Sequence, residues 1–155
     1  MEITLEPKRT AFVQIDLEHG IVGRQLAPYK GEDVVAKCRD LATALRDAGG
    51  TVIFVHVLLH ETLRLPADRP MTPPDAPLPP PEASDLVPEA AMQTGDVLVT
   101  KRQWGAFYGT QLEQVLRRRG VTTVILGGIA TNFGVEPRPA LRSTKGLSWC
   151  LPRTP

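Results

Sequence analysis

The 155 residues include 18 basic and 17 acidic side chains, so the formal net charge is +1. No large block of one sign is present, which argues against a nucleic-acid protein and against a protein that binds an anionic membrane surface. A hydrophobic share of 42%, with no apolar run approaching about 20 residues, predicts one globular domain without a transmembrane helix.

The first predicted element is a buried strand over residues 10–15, whose letters TAFVQI are mostly apolar. This strand delivers Asp16 to its carboxyl end, where open α/β sheets place their sites. Asp16 is therefore the first candidate for chemistry. The alternative is a carboxylate that only caps a turn.

A helix and a second strand follow. Residues 33–48 carry apolar side chains at helical spacing before two glycines, and residues 51–58, TVIFVHVL, favour a strand. The order of strand, helix and strand predicts a right-handed parallel unit. His56 and His60 lie four residues apart where the strand ends, with no accompanying carboxylate motif. We interpret them as hydrogen-bonded histidines and predict no metal site.

Residues 66–88 interrupt this alternation, because nine of these 23 residues are proline. Proline fixes φ and removes a backbone donor, so we predict a long, semi-rigid surface loop within one domain. Such a loop covers an active site, meets another subunit, or is solvated without a special role. The sequence leaves these three interpretations open.

The alternation resumes after the loop. Residues 96–100, DVLVT, predict a strand that ends at Lys101, a second charged group at the carboxyl end of a strand. Residues 109–119 predict an amphipathic helix that ends before Gly120. Its inward-facing residues are predicted to be Leu112, Val115 and Leu116.

The central stretch of the chain is residues 121–136, VTTVILGGIATNFGVE. Its first part predicts a buried strand that ends at Gly127 and Gly128, and a helix opens near Asn132 and Phe133. The free N–H groups of that helix would form an anion or oxyanion pocket at the same sheet edge as the two charged residues. The alternative is that the glycines only let the helix pack closely on the strand.

Three of these stretches together resemble the isochorismatase-like hydrolases, a superfamily that also contains nicotinamidases and N-carbamoylsarcosine amidases. The stretches are AFVQID at 11–16, VTKRQWGAFYGTQLEQVLRRRGV at 99–121 and VILGGIATNFGVE at 124–136. The resemblance covers nearly everything up to Glu136. It implies a three-layer α/β/α Rossmann-like fold with a central, mainly parallel sheet.

The resemblance also implies roles for single residues. Family members with a nucleophile use an aspartate, a lysine and a cysteine, which correspond here to Asp16, Lys101 and Gly134. Asp16 would be the acid and base, and Lys101 the cation that orients it. Glycine offers no side-chain nucleophile, so thioester chemistry cannot run at this position, and neither Cys38 nor Cys150 is an obvious replacement.

Isochorismatases proper also carry glycine at this position, and by resemblance their aspartate protonates a vinyl ether carbon before water attacks. The resemblance therefore implies a hydrolase that acts on a small metabolite by Asp/Lys acid–base chemistry, and we expect no cofactor. The alternative is a catalytically inactive small-ligand binder or scaffold on the same fold.

Further pocket residues follow from the same resemblance. The Ile129–Ala130 peptide would be cis and would aim the amides of Ala130 and Gly134 into the pocket as the oxyanion or anion site. The other candidates for substrate binding are Gln14, Trp104, Phe107, Tyr108 and Asn132. For Gln14 and the three aromatic side chains, a pocket wall and ordinary core packing both fit.

The resemblance stops after Glu136. Residues 137–155, PRPALRSTKGLSWCLPRTP, place prolines where a helix should run and show no apolar strand after it. One base deleted from a serine codon would convert the usual family continuation, Glu-Ser-Thr-Ala-Arg, into this tail. Our hypothesis is an incomplete isochorismatase-like domain, 1–136, followed by an anomalous frameshifted tail, 137–155, with the last strand or strands of the sheet missing.

The two cysteines lie far apart without metal or redox spacing, and the acidic amino terminus MEITLEP does not resemble a signal peptide. We therefore expect a cytoplasmic protein whose partner is a small-molecule substrate, with no nucleic-acid or membrane partner. We also expect a homo-oligomer, because a second subunit would cover the exposed edge of the sheet.

Restoring the reading frame after Glu136 should raise the stability of the protein. The restored tail reads Ser-Thr-Ala-Arg-Ala-Ala-Leu-Tyr-Glu-Gly-Leu-Glu-Leu-Val-Phe-Ala-Glu-Asp-Ala, which supplies a helix and an apolar strand. Burial at about 25 cal/mol per Å² makes this segment comparable with a net stability of roughly 5 to 15 kcal/mol. Thermal melts of both versions, each verified by intact mass, measure the difference, and equal cooperative melts would contradict the frameshift hypothesis.

Overall fold

One parallel sheet of five strands organises the protein. The computed structural model describes residues 5–62, 73, 75–129 and 148–150. The strands are β1 (Thr10–Ile15), β2 (Thr51–Val57), β3 (Val97–Lys101), β4 (Thr123–Gly128) and β5 (Ser148–Cys150), in the spatial order β3-β2-β1-β4-β5. The helices are α1 (His19–Val22), α2 (Gly31–Asp47) and α3 (Leu112–Arg118). The predicted α/β fold with a mainly parallel sheet is confirmed.

The two longer helices, α2 and α3, cover opposite faces of this sheet. Successive residues of a strand point to opposite faces, so Phe12 of β1 packs with the α2 residues while Val13 packs with the α3 residues. On the α2 side, the helix contributes Val35, Cys38, Ala42 and Leu45. On the α3 side, it contributes Leu112 and Leu116, with Val115 partly buried against them. This arrangement is the predicted three-layer α/β/α fold.

Helix α2 begins two residues before the predicted start. Glu32 and Asp33 occupy its first turn, where carboxylates interact favourably with the helix dipole. The end follows the prediction, because Gly49 adopts a φ of +81° and the N–H of Gly50 donates to the Leu45 carbonyl at 2.8 Å.

Helix α3 is shorter than the predicted range 109–119. Residues 102–111 form turns in which the Thr110 hydroxyl donates to the Ala106 carbonyl at 2.6 Å. These turns carry the chain from the carboxyl end of β3 back toward the amino end of the sheet. Strand β3 ends at Lys101, one residue later than the end of the strand predicted for 96–100.

Gly127 and Gly128 belong to strand β4 and bring it close to β1. A Cβ added at Gly128 would overlap the Ile15 carbonyl oxygen, and the φ of Gly128 is +126°, which favours glycine. A Cβ added at Gly127 would lie 2.9 Å from the Phe12 ring. The close backbone approach predicted for these glycines is therefore made to the neighbouring strand.

Strand β5 corrects the expectation that no strand follows Glu136. Residues 148–150 pair in parallel with residues 123–125 of β4. A three-residue edge strand depends mostly on backbone pairing, and tryptophan, the residue at 149, has a high strand propensity. The rest of the tail lies outside the described residues.

The end of the proline-rich loop lies against the carboxyl end of β1. The N–H of Val87 donates to the Leu17 carbonyl at 3.0 Å, and Glu18 forms an isolated antiparallel bridge with Leu86. Two short 3-10 turns, Pro81–Ser84 and Pro88–Ala90, flank these contacts. Residues 63–72 and 74 of the loop lie outside the described ranges. Among the described helices, none combines the length and apolar character that a membrane span requires.

Replacing Gly128 by alanine should destabilise the protein more than the same replacement at Gly95. Both glycines have positive φ, so both variants incur backbone strain of about 1–2 kcal/mol. Only Gly128 has neighbouring backbone in the position of the new Cβ, whereas nothing lies within 4 Å at Gly95. The overlap should add about 1–3 kcal/mol, measured by urea unfolding. Equal losses in the two variants would show that the close approach to β1 is unimportant.

Candidate active site

The two predicted catalytic side chains meet at the carboxyl edge of the sheet. Asp16 directly follows β1 and Lys101 is the last residue of β3, with β2 between them. The Lys101 Nζ donates to the Asp16 Oδ2 at 2.8 Å. Only 3% of the lysine side chain and 11% of the aspartate side chain are exposed. The structure thus brings together two charges that lie 85 residues apart in the sequence.

The backbone of Asp16 adopts a conformation that residues other than glycine rarely adopt. Its φ is +58°, and its N–H donates to the Val55 carbonyl at 2.9 Å. Aspartate and asparagine tolerate this left-handed region better than most residues. Such local strain persists where the surrounding structure holds it, and it is common at functional sites.

Burial and the ion pair act on Asp16 in opposite directions. Burial raises the pKa of Asp16, whereas the charge of Lys101 and its hydrogen bond lower it. His56 and Arg24 lower the pKa of Asp16 further, but the net direction is upward. The effect of burial on the pKa of Asp16 is therefore larger than the opposing effect of Lys101, so Asp16 keeps its proton to a higher pH than an ordinary aspartate.

Glu18 is a second buried carboxyl group in this region, and sequence analysis did not identify it. It is 0% exposed, and its Oε1 accepts a long hydrogen bond of 3.4 Å from the Val57 N–H. Burial and the charge of Asp16 raise the pKa of Glu18 to about 8. The only sequence signal is an acidic residue two positions after Asp16, which is more often a solvated charge.

The predicted pocket residues have different environments. Gln14 is 1% exposed on β1, and within residues 5–62, 73, 75–129 and 148–150 neither polar atom of its side chain has a hydrogen-bond partner. Phe107 packs against the α3 side of the core, as the packing interpretation expected. Trp104 and Tyr108 are 53% and 73% exposed. Ala130, Asn132 and Gly134, with the predicted cis peptide and oxyanion site, lie outside the described residues.

Of the two histidines near the end of β2, His56 is hydrogen-bonded as predicted, but the prediction is wrong for His60. Within the described part of the chain, the buried Nδ1 of His60 has no hydrogen-bond partner, and its Nε2 lies 3.6 Å from the Glu61 Oε1. The two ring nitrogens of His56 hydrogen bond to the Ser84 carbonyl at 2.8 Å and to the Thr100 hydroxyl at 2.9 Å. Burial raises the pKa of Cys38 to about 12, so this thiol is a poor nucleophile. Within the described ranges, no group of three or more His, Cys, Asp or Glu residues is arranged to hold a metal ion.

Comparison with known proteins assigns this chain to a family. The sequence profile of the isochorismatase domain matches residues 10–138. The chain belongs to the isochorismatase family. The charged pair therefore lies inside the region that defines the family.

Several family members are similar in sequence or structure. An Escherichia coli O157:H7 protein, the isochorismatase family protein YecD, is 42% identical over 138 residues, covering 86% of this chain and 72% of its own. The ureidoacrylate amidohydrolase RutB of Rhizobium rhizogenes is 29% identical, covering 86% of this chain and 64% of its own. The solved structure of an isochorismatase family protein from Burkholderia thailandensis is 43% identical, with a TM-score of 0.83, covering 96% of this chain and 78% of its own.

Replacing Lys101 by methionine should destabilise the protein by about 3–5 kcal/mol at neutral pH, because it leaves the Asp16 carboxylate buried without its cation. The double variant that also carries Asp16→Asn should recover most of this loss, and a double-mutant cycle by urea unfolding measures the coupling.

The loss in the Lys101 variant should also depend on pH. Removing the lysine raises the folded-state pKa of Asp16 further above its ordinary value of 3.8. The stability of the variant is then highest below that value and falls as the pH rises through the folded-state pKa.

A double variant no more stable than Lys101→Met would contradict the role of the ion pair.

Proposed function

We propose that the protein is an isochorismatase-family hydrolase that acts on a small metabolite by acid–base chemistry of Asp16 and Lys101, without a cysteine nucleophile. One observation carries this proposal: a buried carboxyl group with a raised pKa forms an ion pair with a buried ammonium at the carboxyl edge of a parallel sheet. Catalytic acids need such a balance between burial and a neighbouring charge.

Asp16, paired with Lys101, would act as a general acid that donates a proton and takes one up again in each catalytic cycle. The protonated form of Asp16, which its raised pKa makes accessible from the resting ion pair, would transfer its proton to a carbon of the substrate, so an O–H bond breaks and a C–H bond forms. Lys101 would stabilise the carboxylate that remains. Water would then add to the substrate cation, and the proton released from that water would return to Asp16. The hemiketal formed in this way would break its C–O bond as its hydroxyl proton moves to the leaving oxygen, so that a carbonyl compound and an alcohol are released. Atoms and charge balance over this cycle without a further reactant.

Gly134 favours an ether-bearing or carboxylate-bearing substrate. RutB is described as an ureidoacrylate amidohydrolase, and by the family resemblance such amidases attack with a cysteine. Glycine cannot form the thioester of that route. Proton transfer followed by addition of water requires no covalent intermediate, so it remains available to Asp16.

Gly134 also favours one second candidate, a catalytically inactive binder of small ligands on the same fold. A binder needs the pocket and the charged pair but no nucleophile, and the fold alone does not distinguish it from an enzyme.

We further assign the chemistry to residues 1–136 and treat 137–155 as a tail that takes no part in it. The family profile ends at residue 138, close to this boundary, which supports the division.

Replacing Asp16 by asparagine should lower turnover by about 10²- to 10⁴-fold, the usual contribution of a general acid, while ligand affinity remains. Asparagine also tolerates positive φ, so the fold should persist. A screen of small ethers and carboxylic acids by product detection and calorimetry measures both quantities. Asp47→Asn is the control, because Asp47 is exposed at the end of α2. A protein that binds a ligand but shows no turnover, with or without Asp16, would favour the binder.

A further inference from the structure

Glu18 gives the catalytic edge of the sheet a second carboxyl group. Lys101 contacts Asp16 at 2.8 Å, whereas among the described residues the Glu18 carboxyl group interacts with backbone N–H groups, through a long contact of 3.4 Å with Val57 and an interaction with its own backbone. We propose that Glu18 is a positioning residue that acts through Asp16: it is held as a neutral carboxylic acid beside the Asp16–Lys101 ion pair and keeps the net charge of the three groups at zero. Its effect on turnover rests on the proposed function, but its protonation does not.

The structure seals Glu18 from solvent. The side chain is 0% exposed, and its backbone pairs with Leu86 across an isolated bridge. The N–H of His19 donates to the Asp85 carbonyl at 3.0 Å, and the N–H of Val87 donates to the Leu17 carbonyl at 3.0 Å. The three consecutive residues 17–19, which follow β1, are thus paired through their backbone with residues 85–87 at the end of the proline-rich loop. Solvent cannot stabilise a charge on Glu18 under this cover.

The charges around Glu18 do not replace solvent. Among the described residues, the charged groups that act on Glu18 are Asp16 after β1 and Lys101 on β3. Two further groups, His56 on β2 and Arg24 after α1, act on its neighbour Asp16. Lys101 already pairs with Asp16, and His56 is engaged by Ser84 and Thr100. The Oε2 of Glu18 and the Oδ1 of Asp16 are both buried and have no hydrogen-bond partner among the residues that the structure describes. An isolated buried carboxylate is far more costly than a neutral acid.

Asp16 ionises before Glu18 because it has the ammonium. Its negative charge then disfavours a second ionisation nearby, which is the behaviour of coupled carboxyl pairs. Consistent with this order, burial and Asp16 raise the pKa of Glu18 to about 8. At neutral pH the site would therefore hold one carboxylate, one ammonium and one neutral acid. Ionisation of Glu18 would place a net negative charge beside the group that must deliver a proton.

This arrangement predicts a specific pH dependence of folding. The unfolded chain releases the proton of Glu18 above its ordinary pKa of 4.5, whereas the folded protein retains it up to about 8. The stability contributed by this proton is complete below pH 4.5, falls across that window and is lost above it. For one retained proton, the folding equilibrium constant should decrease by about tenfold per pH unit inside the window.

The test compares urea unfolding of the wild type and Glu18→Gln at several pH values across this window. Glutamine resembles the neutral acid in shape, so the variant should fold and should lack the contribution of about one proton to the pH slope. Glu82→Gln is the matched control, since Glu82 is exposed on the neighbouring turn and should leave the slope unchanged. Identical slopes for wild type and Glu18→Gln would overturn the proposal.

A second measurement does not depend on that variant folding. Infrared spectra of the wild type and of Asp16→Asn should both show the carbonyl band of a protonated carboxylic acid. In the wild type the band should disappear as the pH rises past about 8, and in Asp16→Asn it should disappear at a lower pH, because the Asp16 charge that raises the pKa of Glu18 is absent. Absence of the band in both proteins would overturn the proposal. Neither experiment uses a substrate, so a failed search for turnover removes the hydrolase proposal alone, and an unchanged pH slope removes the Glu18 proposal alone.

Discussion

One buried ammonium determines the charge at the carboxyl edge of this sheet. Lys101 can neutralise one carboxylate, and the left-handed turn at Asp16 places that carboxylate within 2.8 Å. The parallel register aligns Val57 with Lys101, so the lysine lies beside the strand whose end also contacts Glu18. The ends of β1 and β3, on either side of β2, are therefore coupled through one ion pair, since burying either charge without the other is strongly unfavourable.

Sequence patterns predicted most of the scaffold, because the scaffold depends on local periodicity. The apolar runs of β1 and β2 and the helical spacing of α2 are visible within single segments, and so are the glycines that end α2. The pairing of Asp16 with Lys101 also followed from topology, because parallel strands place their carboxyl ends at one edge.

What the sequence did not predict depends on contacts between distant segments. Glu18 is buried where residues 85–87 pair with residues 17–19, and nothing near position 18 in the sequence encodes that pairing. The glycines of β4 end the strand as expected, but the local sequence did not indicate that the residues they approach are Phe12 and Ile15 of the neighbouring strand. β5 was missed because prolines near the start of the tail dominated the local pattern, although a short edge strand needs few favourable residues.

The strained turn at Asp16 also has an evolutionary consequence. Aspartate, asparagine and glycine all tolerate a φ of +58°, and single base changes connect them. A lineage can therefore discard the charge at this position without discarding the turn, so selection for folding alone does not preserve chemistry here. Gene copies that acquire non-catalytic roles would retain the same backbone conformation. The residue at position 16 would then distinguish active enzymes from their inactive homologues.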